Sequence, residues 1–262
     1  LRHVGVRVLI TADRFKTSDY VGMLCELLPP PPADGAIAAA NLPDLRAVVA
    51  MGAAVPGMLR FDDVAATPAD TARLDRLTAV LDPGDPINIQ FTSGTTGLPK
   101  GATLSHRNIV NNARFVTDRM GFTDQDRLCI PVPLYHCFGM VMGVLGCVSK
   151  GATMIFPGEA FDPDVTLQSV ADERCTALYG VPTMFSAMLA SERFHHHDLS
   201  TLRTGIMAGA PCPIEVMKRV RAEMHMSQVT IAYGMTETSP VSFQSMTDDP
   251  VEKRVSTVGH IH

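Results

Sequence analysis

A short run in the first half of the chain carries hydroxyl, glycine and lysine residues in a pattern that could bind an anion. Within QFTSGTTGLPKG, residues 90–101, Ser93, Thr95, Thr96 and Lys100 stand among glycines. Glycines allow backbone N–H groups to approach an anion, while hydroxyl and ammonium groups add donors and positive charge. The segment therefore predicts a phosphate-binding loop between a strand and a helix; an unliganded polar surface loop is the alternative.

The spacing of this loop excludes the ordinary P-loop of nucleoside triphosphatases. That motif requires G-x-x-x-x-G-K followed by Ser or Thr. Here Gly94 and Gly97 are three positions apart, Lys100 lies three positions beyond Gly97, and Gly101 follows it. The donors suit an anion, but they belong to a different kind of loop.

Length, charge and cysteine usage narrow the class of protein. The chain has 262 residues, 46% of them hydrophobic, and a net charge of −5. This length suits one large domain or two small ones, and the acidic balance gives no support to nucleic acid as the main partner. Six cysteines without C-x-x-C spacing indicate reduced thiols in a cytoplasmic protein rather than a disulfide scaffold.

One apolar stretch, residues 128–148, has the length of a membrane span. Pro131, Pro133 and His136 interrupt it, and the unbroken apolar part, 138–148, is too short to cross a bilayer. We therefore expect no transmembrane segment here and predict a buried strand, loop and helix.

The elements that must position the loop alternate along the chain. Strands are predicted over 4–10, 45–50, 87–93, 127–132, 152–156, 176–180, 204–209 and 228–234. Helices are predicted over 163–173, from Pro182, and over 213–224, and the proline run 29–35 is predicted to be a surface connector. This alternation predicts an α/β protein, layered α-β-α, with largely parallel sheets.

The helix after the loop has the clearest boundaries. Ser105 is a suitable N-cap, and Ile109, Ala113, Val116 and Met120 follow at the spacing of one helix face. Gly121 then stands where a C-terminal glycine belongs, whereas Asn108 replaces the Glu or Gln of a full capping box.

Further motifs follow the loop in order, and together they resemble a known superfamily. TSGTTGLPKG (92–101), PLYHCFG (133–139), AGAP (208–211) and YGMTE (233–237) are similar to the signatures of adenylate-forming enzymes, which include acyl-CoA synthetases, peptide-synthetase adenylation domains and luciferases. The resemblance covers essentially the whole chain and is greatest to the fatty-acyl-CoA synthetases that act on medium-chain acids. It implies part of the large N-terminal, AMP-binding domain of an acyl-activating enzyme.

The resemblance also implies a reaction and its co-substrates. A medium- or long-chain fatty acid attacks the α-phosphorus of ATP to give acyl-AMP and pyrophosphate, and coenzyme A then displaces AMP. Mg²⁺ is implied as the cofactor, held by Thr95 and Glu237. The partners are therefore small molecules: the fatty acid, ATP and coenzyme A.

Residue roles follow from the same resemblance. The catalytic residues would be Lys100, His136, Thr236 and Glu237. The nucleotide would be bound by Thr92, Ser93, Gly94, Thr95, Thr96, Gly97, Lys100, Gly101, Gly209, Ala210, Pro211, Tyr233, Gly234, Met235 and Thr236. The acyl group would contact His136, Tyr179, Gly180 and Val181. On its own, His136 in an apolar run would more often be a core residue, and Cys137 beside it is not expected to act as a nucleophile.

Motifs that the superfamily carries further along are not found, so we expect residues 1–262 to be an AMP-binding N-terminal domain incomplete at both ends. Its approximate halves would be 1–131 and 132–262. The C-terminal lid domain, a partner from the same polypeptide, would be missing, and the fragment would be inactive alone. The alternatives are an acyl-AMP ligase, a peptide-synthetase adenylation module, or a non-catalytic nucleotide-binding module.

Overall fold

In the computed structural model, residues 1–28, 37, 39–93 and 97–262 are described. The predicted connector 29–35 and the loop residues Gly94, Thr95 and Thr96 lie outside them. The described residues form two compact units, Leu1–Leu81 and Asp82–His262. A division into halves at residue 131 stays a prediction.

The first unit is built on a small parallel sheet. Its elements are β1 (Val8–Ala12), β2 (Arg14–Phe15), β3 (Ser18–Asp19), α1 (Tyr20–Leu27), β4 (Ala47–Met51), β5 (Leu59–Arg60), α2 (Phe61–Ala65) and α3 (Thr71–Thr78). The sheet has the order β1-β4-β5 with parallel pairs, and β2 and β3 form an antiparallel hairpin. Leu24, Leu45 and Val48 are the buried centre of this unit.

The strand predicted at 4–10 starts later than expected, at Val8. Residues Arg2–Val4 form a 3-10 turn that ends at Gly5, whose left-handed φ of 60° lets its N–H donate to the Arg2 carbonyl. Because the first residues of the apolar run belong to this turn, the strand begins only after it.

The second unit contains the elements that surround the predicted motifs. In chain order they are β6 (Pro86–Thr92), β7 (Lys100–Ser105), α4 (His106–Arg119), β8 (Arg127–Cys129), a π-helix (Phe138–Leu145), α5 (Gly146–Lys150), β9 (Thr153–Ile155), α6 (Pro163–Asp172), β10 (Ala177–Gly180), α7 (Pro182–Leu189), a 3-10 turn (Phe194–His196), β11 (Thr204–Ala208), α8 (Ile214–Glu223), β12 (Gln228–Gly234), a 3-10 turn (Thr236–Thr238), β13 (Val241–Gln244), α9 (Val251–Ser256) and β14 (His260–Ile261).

Seven of these strands form one sheet in the order β9-β8-β10-β11-β12-β13-β14. The pairs from β9 to β12 are parallel, and β13 and β14 join antiparallel at the other edge. The predicted α/β architecture with largely parallel sheets is therefore confirmed.

Helices cover both faces of this sheet, so the unit has three layers: helices, sheet and helices. Successive residues of a strand point to opposite faces, so Leu178 packs with α6, α7 and α8 on one side while Ala177 and Tyr179 pack with α4, the π-helix and α5 on the other. The same alternation separates Met207 from Ile206 on β11. The continuous apolar runs predicted as strands reflect this burial on both faces.

The sequence predicts that the phosphate-like loop leads directly into a helix, but in the structure a strand follows the loop. It connects β6 to β7, which pair antiparallel, and Thr92 is the cross-strand partner of Lys100. The expectation was wrong because β7, with the sequence KGATLS, lacks a strong strand signal of its own. Its conformation is set by pairing with β6 and by burial of Leu104 in a cluster with Ile109.

Helix α4 agrees with its predicted face and cap. Ile109, Ala113, Val116 and Met120 are all buried. The Asn108 amide oxygen accepts a hydrogen bond from the Ser105 backbone N–H across 3.2 Å, and Ser105 Oγ accepts one from the Asn108 backbone N–H. Asn108 therefore completes the capping box, although it replaces the usual Glu or Gln. Gly121 follows with a φ of 62°, as predicted for a C-terminal glycine.

The apolar stretch 128–148 contains most of strand β8, then a loop, the π-helix and the first residues of α5, so the predicted strand, loop and helix are present. Within the described ranges, we find no helix whose length and apolar character would let it cross a membrane.

Candidate active site

A cavity of about 550 Å³ lies at the carboxyl ends of β11 and β12. Open α/β sheets commonly bind ligands at this edge. The walls come from the end of β6, the start of β7, the loop before the π-helix, and the segment from β12 to β13. The lining residues are Phe91, Thr92, Ser93, Lys100, His136, Cys137, Phe138, Met142, Ala208, Gly209, Ala232, Tyr233, Gly234, Met235, Thr236, Glu237, Pro240 and Val241.

The cavity brings together residues from all four sequence motifs. The predicted site residues on its walls are Thr92, Ser93, Lys100, His136, Gly209, Tyr233, Gly234, Met235, Thr236 and Glu237. Other predicted residues do not line it: Gly97, Gly101, Ala210, Pro211, Tyr179, Gly180 and Val181. Gly94, Thr95 and Thr96 lie outside the described residues.

The predicted acyl-contacting segment lies behind the cavity wall. Tyr179 is fully buried; its hydroxyl donates to the Met142 carbonyl across 3.3 Å, and its ring centroid is 5.4 Å from that of Phe138. Because Phe138 and Met142 do line the cavity, Tyr179 supports the wall from the core side. Val181 contacts the same wall at Gly209, where an added Cβ would lie 3.2 Å from its Cγ1.

A close backbone approach shapes the cavity at Gly234. A Cβ at this position would lie 1.9 Å from the Pro240 carbonyl oxygen, and the β12–β13 register shifts between Tyr233 and Gly234. Only glycine lets the two strand ends approach this closely. The approach sets the positions of Thr236 and Glu237, which lie in the short turn between these strands.

A buried amide on α4 fixes the other side of that segment. Asn112 Nδ2 donates to the Val241 carbonyl across 2.7 Å, and Asn112 Oδ1 accepts the Val241 N–H across 3.1 Å. Both backbone groups of one cavity residue are therefore satisfied by a single side chain, which holds β13 against the helix.

The His136 ring has a defined hydrogen bond. The Phe138 backbone N–H donates to Nδ1 across 3.1 Å, so in the neutral ring the proton is on Nε2. Partial burial lowers the pKa of His136 below its ordinary value, because removal from water disfavours the charged ring. The histidine is thus a neutral donor on the cavity wall.

The Cys137 thiol connects this histidine to the YGMTE motif. Its Sγ lies 3.7 Å from His136 Nδ1 and 3.7 Å from Thr236 Oγ1. Burial raises the pKa of Cys137 and outweighs the opposing hydrogen bonds with Thr236 and with the backbone N–H groups of Cys137 and Phe138. The side chain is therefore a neutral thiol at neutral pH, as expected for a residue that does not act as a nucleophile.

The carboxylate of Glu237 is the one acidic group among the described residues on the cavity wall. Thr92 Oγ1 donates to Glu237 Oε1 across 3.4 Å. In nucleotide sites Mg²⁺ is commonly bound by one or two carboxylates together with phosphate oxygens, and Glu237 fits that donor set. Residues 1–28, 37, 39–93 and 97–262 contain no group of three or more His, Cys, Asp or Glu residues arranged to hold a metal on their own.

Apolar residues form the rest of the cavity, and most of them were not identified from the sequence. They are Phe91, Phe138, Met142, Ala208, Ala232, Pro240 and Val241. Ala208 and Ala232 occupy paired positions on β11 and β12. Phe138 and Ala208 lie within the motifs PLYHCFG and AGAP, so motif membership could have identified these two. Met142 and Val241 lie outside the motifs and can be assigned to the cavity only from the fold.

Comparisons with known proteins give a consistent relationship. A family model described as "AMP-binding enzyme" matches residues 1–262. The putative acyl-CoA synthetase YngI of Bacillus subtilis is 46% identical over 99% of this chain and 48% of its own length. The human mitochondrial medium-chain acyl-CoA ligase ACSF2 is 41% identical over 100% of this chain and 44% of its own. The chain therefore spans about half the length of the curated relatives it matches.

Solved structures show the same fold. The crystal structure of the anthranilate CoA ligase AuaEII in complex with anthranoyl-AMP superposes with a TM-score of 0.77, covering 99% of this chain and 45% of that one at 24% identity. At this identity the likeness is one of fold.

Proposed function

Because the chain belongs to the AMP-binding enzyme family, we propose that its cavity is the adenylation site of an acyl-CoA ligase that activates a fatty acid. The observation that carries this proposal is the composition of the cavity. Phosphate-binding donors, a carboxylate suited to Mg²⁺ and an apolar compartment share one space of about 550 Å³. Adenylation of a fatty acid requires all three.

The polar end suits the triphosphate of ATP. Ser93 and Lys100 stand at the two ends of the loop and line the cavity, with Lys100 supplying positive charge. Tyr233 is half exposed on the same wall and offers a ring face for adenine, beside Gly209. Phosphate oxygens and an aromatic base are the chemical groups that these side chains recognise.

Magnesium, when bound with the nucleotide, would neutralise charge on the phosphates during displacement at the α-phosphorus. Glu237 would hold it, and Thr92 would hold the Glu237 carboxylate in place through its hydroxyl. The metal-binding role of Thr95, which the resemblance also implies, stays a prediction.

The reaction needs positioning and charge neutralisation more than acid–base chemistry. The attacking carboxylate and the α-phosphate are both anions, so neutral and cationic donors favour their approach. His136 and Thr236 offer an N–H and an O–H on the cavity wall, and Lys100 offers an ammonium group. Pyrophosphate leaves from the polar end, and acyl-AMP remains with its acyl chain in the apolar part.

The apolar part favours an aliphatic acid over an amino acid. An amino acid needs an acidic partner for its ammonium group, and the described lining offers Glu237 alone, which the metal would occupy. Phe138, Met142 and the paired alanines Ala208 and Ala232 offer only apolar contact. We therefore favour a fatty acid of medium or longer chain, with coenzyme A as the thiol acceptor.

The six cysteines are free thiols, which supports placing the reaction in the reducing cytoplasm. We also expect this chain alone to bind ATP weakly and to turn over little or not at all, because the relatives are about twice its length.

The proposal is tested by fatty-acid-dependent pyrophosphate exchange in the full-length protein, and by calorimetric binding of Mg–ATP to this chain. Lys100→Ala and Glu237→Gln should each lower exchange about a hundredfold, equivalent to about 2.7 kcal/mol of transition-state stabilisation. Lys218→Ala and Glu215→Gln are matched controls, because these residues pair on the exposed face of α8. Exchange unchanged by both cavity variants, or lost equally in the controls, would refute the assignment.

A further inference from the structure

Cys137 combines deep burial with a position on the cavity wall. The residue is 2% exposed and packs with Leu104, Ile109 and Val141, yet it is one of the residues that line the cavity. The packing leaves the side chain little freedom to move. The sulfur is consequently held between the two motifs that meet at this point.

Two acceptors lie within reach of the single thiol proton. They are His136 Nδ1 and Thr236 Oγ1, each 3.7 Å from Sγ. The Nδ1 lone pair already accepts the Phe138 backbone N–H across 3.1 Å, and an imidazole nitrogen offers only one lone pair. The threonine oxygen is therefore the remaining acceptor for the thiol proton.

The direction of this hydrogen bond determines where the threonine proton points. Thr236 is 9% exposed, and its hydroxyl makes no other hydrogen bond among the described residues. When Oγ1 accepts from the thiol, its own proton has no protein acceptor in the described part of the chain and is free for a ligand in the cavity. A serine or threonine hydroxyl can donate only one proton, so this direction decides whether the group serves the protein or the substrate.

We propose that Cys137 is a positioning residue: its thiol donates to Thr236 Oγ1 and thereby directs the threonine hydroxyl proton toward an oxygen of the bound acyl-adenylate. This inference rests on the proposed function for the identity of the ligand. The hydrogen bond itself does not depend on any ligand. Burial, which raises the pKa of Cys137, keeps the thiol protonated and able to donate.

The first test measures the hydrogen bond without a ligand. The difference between infrared spectra of the wild-type chain and Cys137→Ala isolates one S–H stretching band among six cysteines. A donated S–H bond has a lower stretching frequency than a free one. We expect Thr236→Val to raise the frequency and Thr236→Ser, which keeps the acceptor, to leave it unchanged. A band that moves in His136→Ala instead, or in neither variant, would overturn the proposal.

The second test measures the consequence for binding, using a non-hydrolysable acyl-sulfamoyl adenosine as the acyl-adenylate mimic. Cys137→Ala should weaken calorimetric binding about fivefold, equivalent to about 1 kcal/mol, when binding is measured well below the melting temperature, which the lost core contact lowers. Cys137→Ser, which retains a donor, should recover most of the affinity. In a Thr236→Val background, Cys137→Ala should have no further effect.

The two tests separate the two claims. Wild-type protein that does not bind the mimic would contradict the proposed function, while the S–H band would still decide the direction of the hydrogen bond. Equal losses in Cys137→Ala and Cys137→Ser, or an undiminished loss in the Thr236→Val background, would show that Cys137 acts only by packing.

Discussion

The hydroxyl of Thr92 donates to the carboxylate of Glu237 across 3.4 Å, although the two residues are 145 positions apart in the chain. One residue ends β6, immediately before the phosphate-like loop, and the other lies in the turn between β12 and β13. The proposed nucleotide-binding loop is thus connected directly to the proposed metal ligand.

Removing this hydroxyl should weaken magnesium-dependent binding. Thr92→Val preserves shape but cannot donate, and such a bond contributes about 0.5–1 kcal/mol. We expect the affinity for Mg–ATP to fall about two- to fivefold, with affinity for ATP in a chelator unchanged, by calorimetry. Thr92→Ser is the matched control and should bind as the wild type does; equal losses with and without magnesium would disprove the link to Glu237.

His136 should titrate below its ordinary pKa of 6.5, because burial disfavours the charged ring. Above pH 6.5 the ring is neutral in the folded and unfolded chains and contributes nothing to the pH dependence of stability. Below that pH the unfolded chain gains the proton first, so stability falls as the pH falls. Nitrogen-15 NMR should show the proton on Nε2 and the lowered pKa, and His136→Asn should flatten the fall in stability. A pKa at or above 6.5 would contradict this prediction.

Gly234→Ala should distort the site, because the new Cβ would lie 1.9 Å from the Pro240 carbonyl oxygen. Backbone atoms cannot yield as a flexible side chain can, so β12 and β13 must separate. Gly121→Ala is the control: its φ is left-handed, at 62°, but no atom lies within 4 Å of the new Cβ. It should cost only the left-handed strain of about 1–2 kcal/mol. Urea unfolding should show a distinctly larger loss for Gly234→Ala, and equal losses would refute the close-approach argument.

Asp249 should stabilise the fold at neutral pH. Burial alone would raise its pKa, but hydrogen bonds from Lys253, the Met246 backbone N–H and His260 hold it at about 2, against an ordinary value of 3.8. This stabilisation is present above 3.8 and is lost as the pH falls through about 2.

Asp249→Asn should therefore lower the free energy of unfolding at pH 7 by about 1–2 kcal/mol, a figure reduced because Lys253 is half exposed. The gap between variant and wild type should narrow as the pH falls from 3.8 toward 2. Glu215→Gln, in an exposed pair, should change little. A gap independent of pH would show that the carboxylate charge is not the cause.

Ala208→Leu should shorten the fatty acid that the site accepts. Ala208 lines the apolar part of the cavity at a position paired with Ala232, so a larger side chain occupies space proposed for the acyl chain. We expect exchange with the longest accepted acids to fall at least tenfold while shorter acids keep their rates, measured as kcat/KM over a homologous series. Ala190→Leu, exposed at the end of α7, is the control. A uniform loss at every chain length would argue against a length-determining role.

The sequence predicted the central strands well because each is apolar enough to be buried on both faces. It missed β7, because KGATLS becomes a strand only through its pairing with β6. It also undervalued Asn108, since an asparagine completes the capping box as a glutamate would.

For the site, motifs located Thr92, His136, Thr236 and Glu237 but could not describe what connects them. The contact between Cys137 and Thr236 joins residues 99 positions apart. The sequence did not identify Asn112 as a buried residue because its side chain is polar. Asn112 is nevertheless buried on α4, between apolar positions, and hydrogen-bonds both backbone groups of Val241. Such relationships depend on how separate elements pack, and no local pattern encodes them.

The hairpin that carries the phosphate-like loop has a consequence for how that loop can change. Thr92 and Lys100 are cross-strand partners, and antiparallel pairing holds such Cα atoms about 4.5–5.5 Å apart. The residues between them do not determine that separation. The pairing of β6 with β7 therefore holds Lys100 and the Thr92–Glu237 contact in place whatever the number of residues between the two strands.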